Sequence, residues 1–196
     1  LTGVLRELPI DASGTIAGAG GAIDLGDLDL RWGSSGARLS VPSEGELGVE
    51  LTDFDLRQLG AYEGLVSGQL SWRPEQDLLV SSRAQLRIEK AVIAGVRIAS
   101  ARLAKRADFD AQLNMSKLQI GKFEVETVNF VSAGTAAAHT LTLSADNQRA
   151  NLDAELRGAW AAPAWDGAIT RVELAEKGGS RWTLDQPASL HLDDTA

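Results

Sequence analysis

The chain of 196 residues contains no cysteine. That excludes a disulfide framework and thiolate chemistry, and it suits either a reducing compartment or a periplasmic domain large enough to fold without bridges. Long apolar runs are missing too. No stretch approaches the roughly 18 residues that suggest a membrane span, and the opening LTGVLRELPID has neither the charged start nor the apolar block of a signal peptide. Because the chain starts and stops abruptly in strand-like residues, Leu1 at one end and SLHLDD at the other, a piece of a longer protein is expected. Positive charge is short: the net charge is −8 and the pI is near 4.8, which argues against a dedicated nucleic-acid binder.

Catalytic patterns are equally scarce. The two histidines, His139 and His191, lie far apart, and no HExxH, CxxC or GxSxG occurs. His139, at the start of a strand, reads as a hydrogen-bonded edge or turn residue, and nothing recommends a spatially assembled triad. Gly14, Gly18, Gly20 and Gly21 fit neither the dinucleotide fingerprint nor the Walker pattern, so they read as turn glycines. Asp24, Asp27 and Asp29 lack the EF-hand spacing and its closing Glu, and read as solvent-facing strand carboxylates. Aromatics make up only 5% of the chain. Trp160, Trp165 and Trp182 could form a platform for sugars, but two of them flank a turn and read equally well as covers for the end of an apolar face.

What the sequence does have is alternation. Leu118 and Ile120, Phe123 and Val125, Val128 and Phe130, Leu141 and Leu143, and Leu152, Ala154 and Leu156 set apolar side chains at every second position, the signature of strands with one oily and one wet face. The same period runs through Leu28, Leu30 and Trp32, through Leu39 and Val41, and through Leu47, Val49 and Leu51. After Asp53 the parity slips by one, which predicts a bulge or break before Phe54 and Leu56. LRQLGAYEG is expected to hold one short helical turn, and Leu70 with Trp72, then Leu86 with Ile88, flank the turn at Arg73–Asp77. ARLAKRADFDAQL contains good helix formers, yet Phe109, Ala111, Leu113 and Met115 alternate and AVIAGVRIASARL is rich in β-branched residues, so strands are predicted throughout. SAGT after Phe130, SADNQR after Leu143 and GAWAAPAWDG after Leu156 are predicted turns, and Trp182 with Leu184 and Leu190 with Leu192 a last strand pair.

One stretch runs against the acidic background. Arg83, Arg87, Lys90, Arg97, Arg102, Lys105 and Arg106 face Glu89 alone. The simpler reading is the solvated face of two strands; the sharper one is contact with anionic lipid or an acidic partner.

The order of features from Gly121 through Pro187 resembles the TamB family, large AsmA-like proteins of the Gram-negative envelope. The likeness lies in GKFEVETVNFVSAGTAAAHTLTLSADNQRANLDAELRGAW, in WDGAITRVEL and in the closing RWTLDQPASLHL. TDFDLRQLGAYEGLVSGQLSWRPEQDLLVSSRAQLRI is similar to the family's repeating unit. The resemblance spans most of residues 45 to 192 and points to the family's central region, with Leu1 to Pro42 matching in general character. It implies an all-β fold: an elongated, curved, incompletely closed antiparallel sheet, a β-taco, with a hydrophobic concave groove. The chain is then a single continuous β-rich segment of a larger protein, divisible at about 1–44, 45–110 and 111–196.

The resemblance further implies a groove lined by Leu47, Val49, Leu51, Leu86, Ile88, Leu113, Met115, Leu118, Ile120, Phe123, Val125, Val128, Phe130, Leu141, Leu143, Leu152, Leu156 and Ile169. Phospholipid acyl chains would be its occupants, no cofactor or metal would be needed, and no catalysis is expected. TamB-like proteins are anchored in the inner membrane, cross the periplasm and meet the outer-membrane barrel TamA, with roles in phospholipid transport and outer-membrane protein assembly. Neither the anchor nor a TamA-contacting end is recognisable here. Without the resemblance, the same oily faces would serve a β-sandwich or β-helix with a packed core and no ligand. A polysaccharide hydrolase is the remotest alternative.

Overall fold

A computed structural model describes residues 2–5, 7–19, 22–41, 45–59, 62–76, 81–106, 108–161 and 164–192, without the side chains of 16–19 and 22–25. Alternation becomes fifteen strands. They are β1 (Thr2–Leu5), β2 (Leu8–Ala19), β3 (Ala22–Trp32), β4 (Ser35–Ser40), β5 (Leu47–Asp55), β6 (Glu63–Trp72), β7 (Arg83–Ile93), β8 (Val96–Lys105), β9 (Ala111–Ile120), β10 (Phe123–Thr135), β11 (Ala138–Asp146), β12 (Ala150–Ala161), β13 (Ala164–Glu176), β14 (Arg181–Thr183) and β15 (Ala188–Leu192). All belong to one antiparallel sheet in sequence order from β1 to β14, with β15 returning to pair with β13 beside β14. The sheet is open: among the described residues β1 pairs only with β2, and no strand closes it into a barrel.

The helical turn predicted in LRQLGAYEG is a single 3-10 turn, Leu56–Leu59, between β5 and β6. Asp55 begins it, its carboxylate accepting the Arg57 backbone N–H at 3.0 Å and the guanidinium from the same residue. That arrangement satisfies a donor the turn leaves without a partner. Gln58 then reaches back to the Trp32 carbonyl at 2.9 Å, Trp32 donates its indole N–H to the Leu5 carbonyl at 3.0 Å, and Ser35 accepts the Asp55 N–H at 2.9 Å. These bonds tie the β1–β2 and β3–β4 turns to the 3-10 turn along one rim of the sheet.

The slip after Asp53 is a bulge. Leu51 pairs with Gly68 and Phe54 with Val66, leaving two residues of β5 opposite Ser67. Asp53 takes a φ of 45°, and its N–H is held by the Ser67 hydroxyl at 3.0 Å. A second irregularity crosses four strands in line. Lys90, Ala99, Lys117 and Glu126 all drop out of the pairing between β7 and β10. Apolar residues on these strands therefore step by three at the same level, Ile88 to Ala91, Ile98 to Ala101, Met115 to Leu118 and Val125 to Val128. An isolated bulge would send the rest of one strand to the wrong face; four in line keep the whole face in register.

One predicted turn lies inside a strand. SAGT is the end of β10, with the reversal moved on to Ala136 and Ala137. Gly134 is there because the paired strand β11 crowds it: its φ is 123°, and a Cβ would collide with Ala138 and His139. GAWAAPAWDG spans the end of β12 and the start of β13, where Trp160 pairs with Trp165 and Ala161 with Ala164; residues 162–163 lie outside the described residues.

Candidate functional site: the apolar face of the sheet

Register decides which side chains share a face. Leu30, Ala37, Leu51, Gly68, Leu86, Leu103, Leu113, Phe130, Leu143, Ala154 and Val172 are successive cross-strand partners from β3 to β13. A flanking row follows Val66, Ile88, Ala101, Met115, Val128, Ala145, Leu152 and Leu174. All eighteen residues expected to line a groove fall on this one face. The other face carries polar and charged side chains, for example Asp29, Arg38, Glu50, Gln69 and Gln85 as successive partners and Arg87 paired with Arg102.

Nothing comparable to a second layer covers the apolar face. Among the described residues, substantial contacts between strands are confined to sheet neighbours. Only seven hydrophobic residues among those described are buried, three of them alanines, and none of the described large side chains is fully buried. Of the eighteen, Val128 is buried at 7% exposure, Phe123 and Ile120 are open at 78% and 49%, and the other fifteen are half-buried. The accessible surface of 13032 Å² exceeds the about 9,000 Å² of a compact monomer of this length, as it must when a face this wide lacks a partner layer. Three open depressions of about 680, 730 and 220 Å³ lie on the opposite, polar face. They form where Ser, Gly and Thr stand between longer charged side chains.

The face ends differently at its two rims. At one, His139 is buried and stacks on Phe109 with ring centroids 4.0 Å apart. It accepts the Trp165 indole N–H at Nε2 and, as the Nδ1–H tautomer this requires, donates to the Thr135 carbonyl at 3.0 Å. His139 is hydrogen-bonded as predicted, although β11 is an inner strand and not an edge. Lys105 lies at this rim as well. Its register partners are Ala84 and Ala111, which puts it on the apolar face and not among the solvated cations where the sequence had placed it. Its ammonium donates to the Ser82 carbonyl at 2.6 Å, and burial holds its pKa below the usual lysine value. At the other rim Ile93, Val96, Ile120 and Phe123 pair across two adjacent hairpin tips.

Sequence reasoning missed Leu103, Ala145, Val172 and Leu174 as members of the face. The alternation that finds the others would have found these; the helix-like composition around Leu103 masked it. Trp165 does cover an end of the face, whereas Trp182 is 57% exposed beside Leu174. Among the described residues no cluster of His, Asp or Glu is arranged to hold a metal ion.

The fold is thus an open antiparallel sheet with a single uninterrupted apolar face. The chain belongs to the TamB family: the family model described as TamB, N-terminal domain, matches residues 1–196. The match takes in Leu1 to Pro42, and it is to the N-terminal domain where the sequence had pointed to the central region. No curated protein and no solved structure matches the chain. The family is an envelope lipid-transport and assembly module. No helix among the described residues is long and apolar enough to cross a membrane.

Proposed function

We propose that the apolar face shields phospholipid acyl chains on their way between the inner and outer membranes. In this reading the segment is periplasmic, in a protein anchored in the inner membrane that also takes part in outer-membrane protein assembly and meets TamA through other parts of its chain. The observation that carries the reading is a face of leucine, isoleucine, valine and alanine that spans the strands and stays half-exposed. A fully buried methylene is worth about 0.8 kcal/mol, so an acyl chain of roughly sixteen carbons gains on the order of 12 kcal/mol when wholly removed from water and a fraction of that against one apolar face. Aliphatic contact is non-directional, which lets a chain slide without breaking hydrogen bonds.

A photocrosslinking residue at Leu141, on the face, and at Thr142, its exposed neighbour on the opposite face, tests this in cells. Lipid adducts at 141 and none at 142 are expected. Adducts to protein alone at 141 would mean that another polypeptide layer seals the face, and the reading would be abandoned.

A further inference from the structure

The rim formed by the β7–β8 and β9–β10 hairpin tips carries an exposed apolar row that the sheet itself does not use. Ile93, Val96, Ile120 and Phe123 are cross-strand neighbours there. Phe123 is 78% exposed, the most open large hydrophobic side chain among the described residues, and Ile120 and Ile93 stand at 49% and 36%. Further along the same rim the 3-10 turn is bonded to Trp32 and so ties down the neighbouring turns; these two tips project without such a cover.

Charge separates the possible occupants. Of the seven cations between Arg83 and Arg106, Lys90 and Arg97 lie toward these tips, whereas Arg83, Lys105 and Arg106 lie at the opposite rim, and Glu89 is already paired with Arg87. Nearest the tips, Lys90, Arg97, Lys117 and Lys122 are all exposed, against Glu63, Glu124 and Glu126. Lys90 and Lys117 sit in the aligned bulges with φ of 53° and 50°, where a strand re-aims its side chains. An acidic protein segment would satisfy the cations and leave Ile and Phe in water. An anionic bilayer satisfies both, because apolar tips enter the acyl boundary while lysines and arginines stay at headgroup level.

We infer that the β7–β8 and β9–β10 hairpin tips dock this protein on an anionic lipid bilayer, Ile93, Ile120 and Phe123 inserting and the flanking Lys and Arg contacting phosphates. Ile120 and Phe123 stand at the end of the apolar face, and the experiment below tells docking by the tips from acyl shielding along the face.

Flotation of the 196-residue chain with phosphatidylcholine vesicles, with and without phosphatidylglycerol, tests it. Binding is expected to be stronger to the anionic vesicles and to weaken with salt. Ile120→Ser with Phe123→Ser lowers binding to both compositions by about tenfold or more. Lys90→Glu with Lys122→Glu lowers it several-fold on anionic vesicles only, and unchanged circular dichroism confirms that the variants fold. No flotation of the unaltered chain, or flotation that both tip variants leave intact, overturns the inference. Lost flotation with retained crosslinking at position 141 would sink docking alone, and the reverse would sink acyl shielding alone.

Discussion

Trp165 on β13 donates its indole N–H to His139 on β11 at 2.7 Å, passing over β12 to reach it. The indole can lie there because the two residues beneath it are Gly158 and Gly167, where a Cβ would collide with the ring. One hydrogen bond, two missing side chains and the Phe109 stack therefore form a single unit that walls off one rim.

Two substitutions separate its parts. Gly158→Ala forces Trp165 off its seat and should cost about 1–3 kcal/mol, an overpacking penalty, with a shift in tryptophan fluorescence. His139→Phe keeps an aromatic ring on Phe109 but strands a buried N–H, and should cost about 1–3 kcal/mol with little change in far-ultraviolet dichroism. Denaturant titration measures both; a neutral result for His139→Phe would show that the indole N–H finds another acceptor.

The aligned bulges hold Lys90 and Lys117 in the left-handed region, which costs a non-glycine residue about 1–2 kcal/mol. Replacing either by glycine should raise stability by about 0.5–1 kcal/mol after glycine's larger unfolded-state entropy is deducted. Lys90→Val should lower stability by about 1 kcal/mol or more, since a β-branched residue tolerates positive φ poorly. Thermal melts of the three variants should rank in that order.

Asp55 gives a pH signature. Its carboxyl is held below the ordinary carboxylate range, first by its hydrogen bond from the Arg57 side chain. A depressed folded-state value means the stability it contributes is complete above the unfolded-state pKa and disappears as pH falls through the folded one. Asp55→Ala should therefore cost about 1 kcal/mol at neutral pH, and the gap to the unaltered protein should close in acid. A gap that persisted at pH 2 would place its origin in the backbone of the turn instead of in the carboxylate.

On the proposed function, Leu141→Arg or Leu152→Asp should block lipid passage while the chain still folds, since both positions are half-buried on a face without a partner layer. Lipid crosslinking at another position on the face and circular dichroism read the two effects apart. Collapse of folding in both variants would mean that the face is packed against protein.

Most of the sheet could be read from the period of two, because a half-buried strand shows its two faces directly in the residue order. The bulge at Asp53 was readable for the same reason, as a change of parity. The four bulges in line were not, since stepping by three looks like a turn until neighbouring strands are seen to step together. Gly134, Gly158 and Gly167 misled in another way. They resemble turn glycines in sequence, but two of them make room for an indole and one for the approach of β11. Lys105 was hidden by its company: six other cations nearby suggested a wet face, and only its pairing with Ala84 and Ala111 puts it on the dry one.

From β1 to β12 every strand bonds only to those just before and just after it in the chain. Insertion or loss of a whole hairpin would then shift distant parts bodily without re-pairing any of them. Length becomes a quantity that duplication can tune, and a protein required to reach across a gap of fixed width could be fitted to that distance two strands at a time.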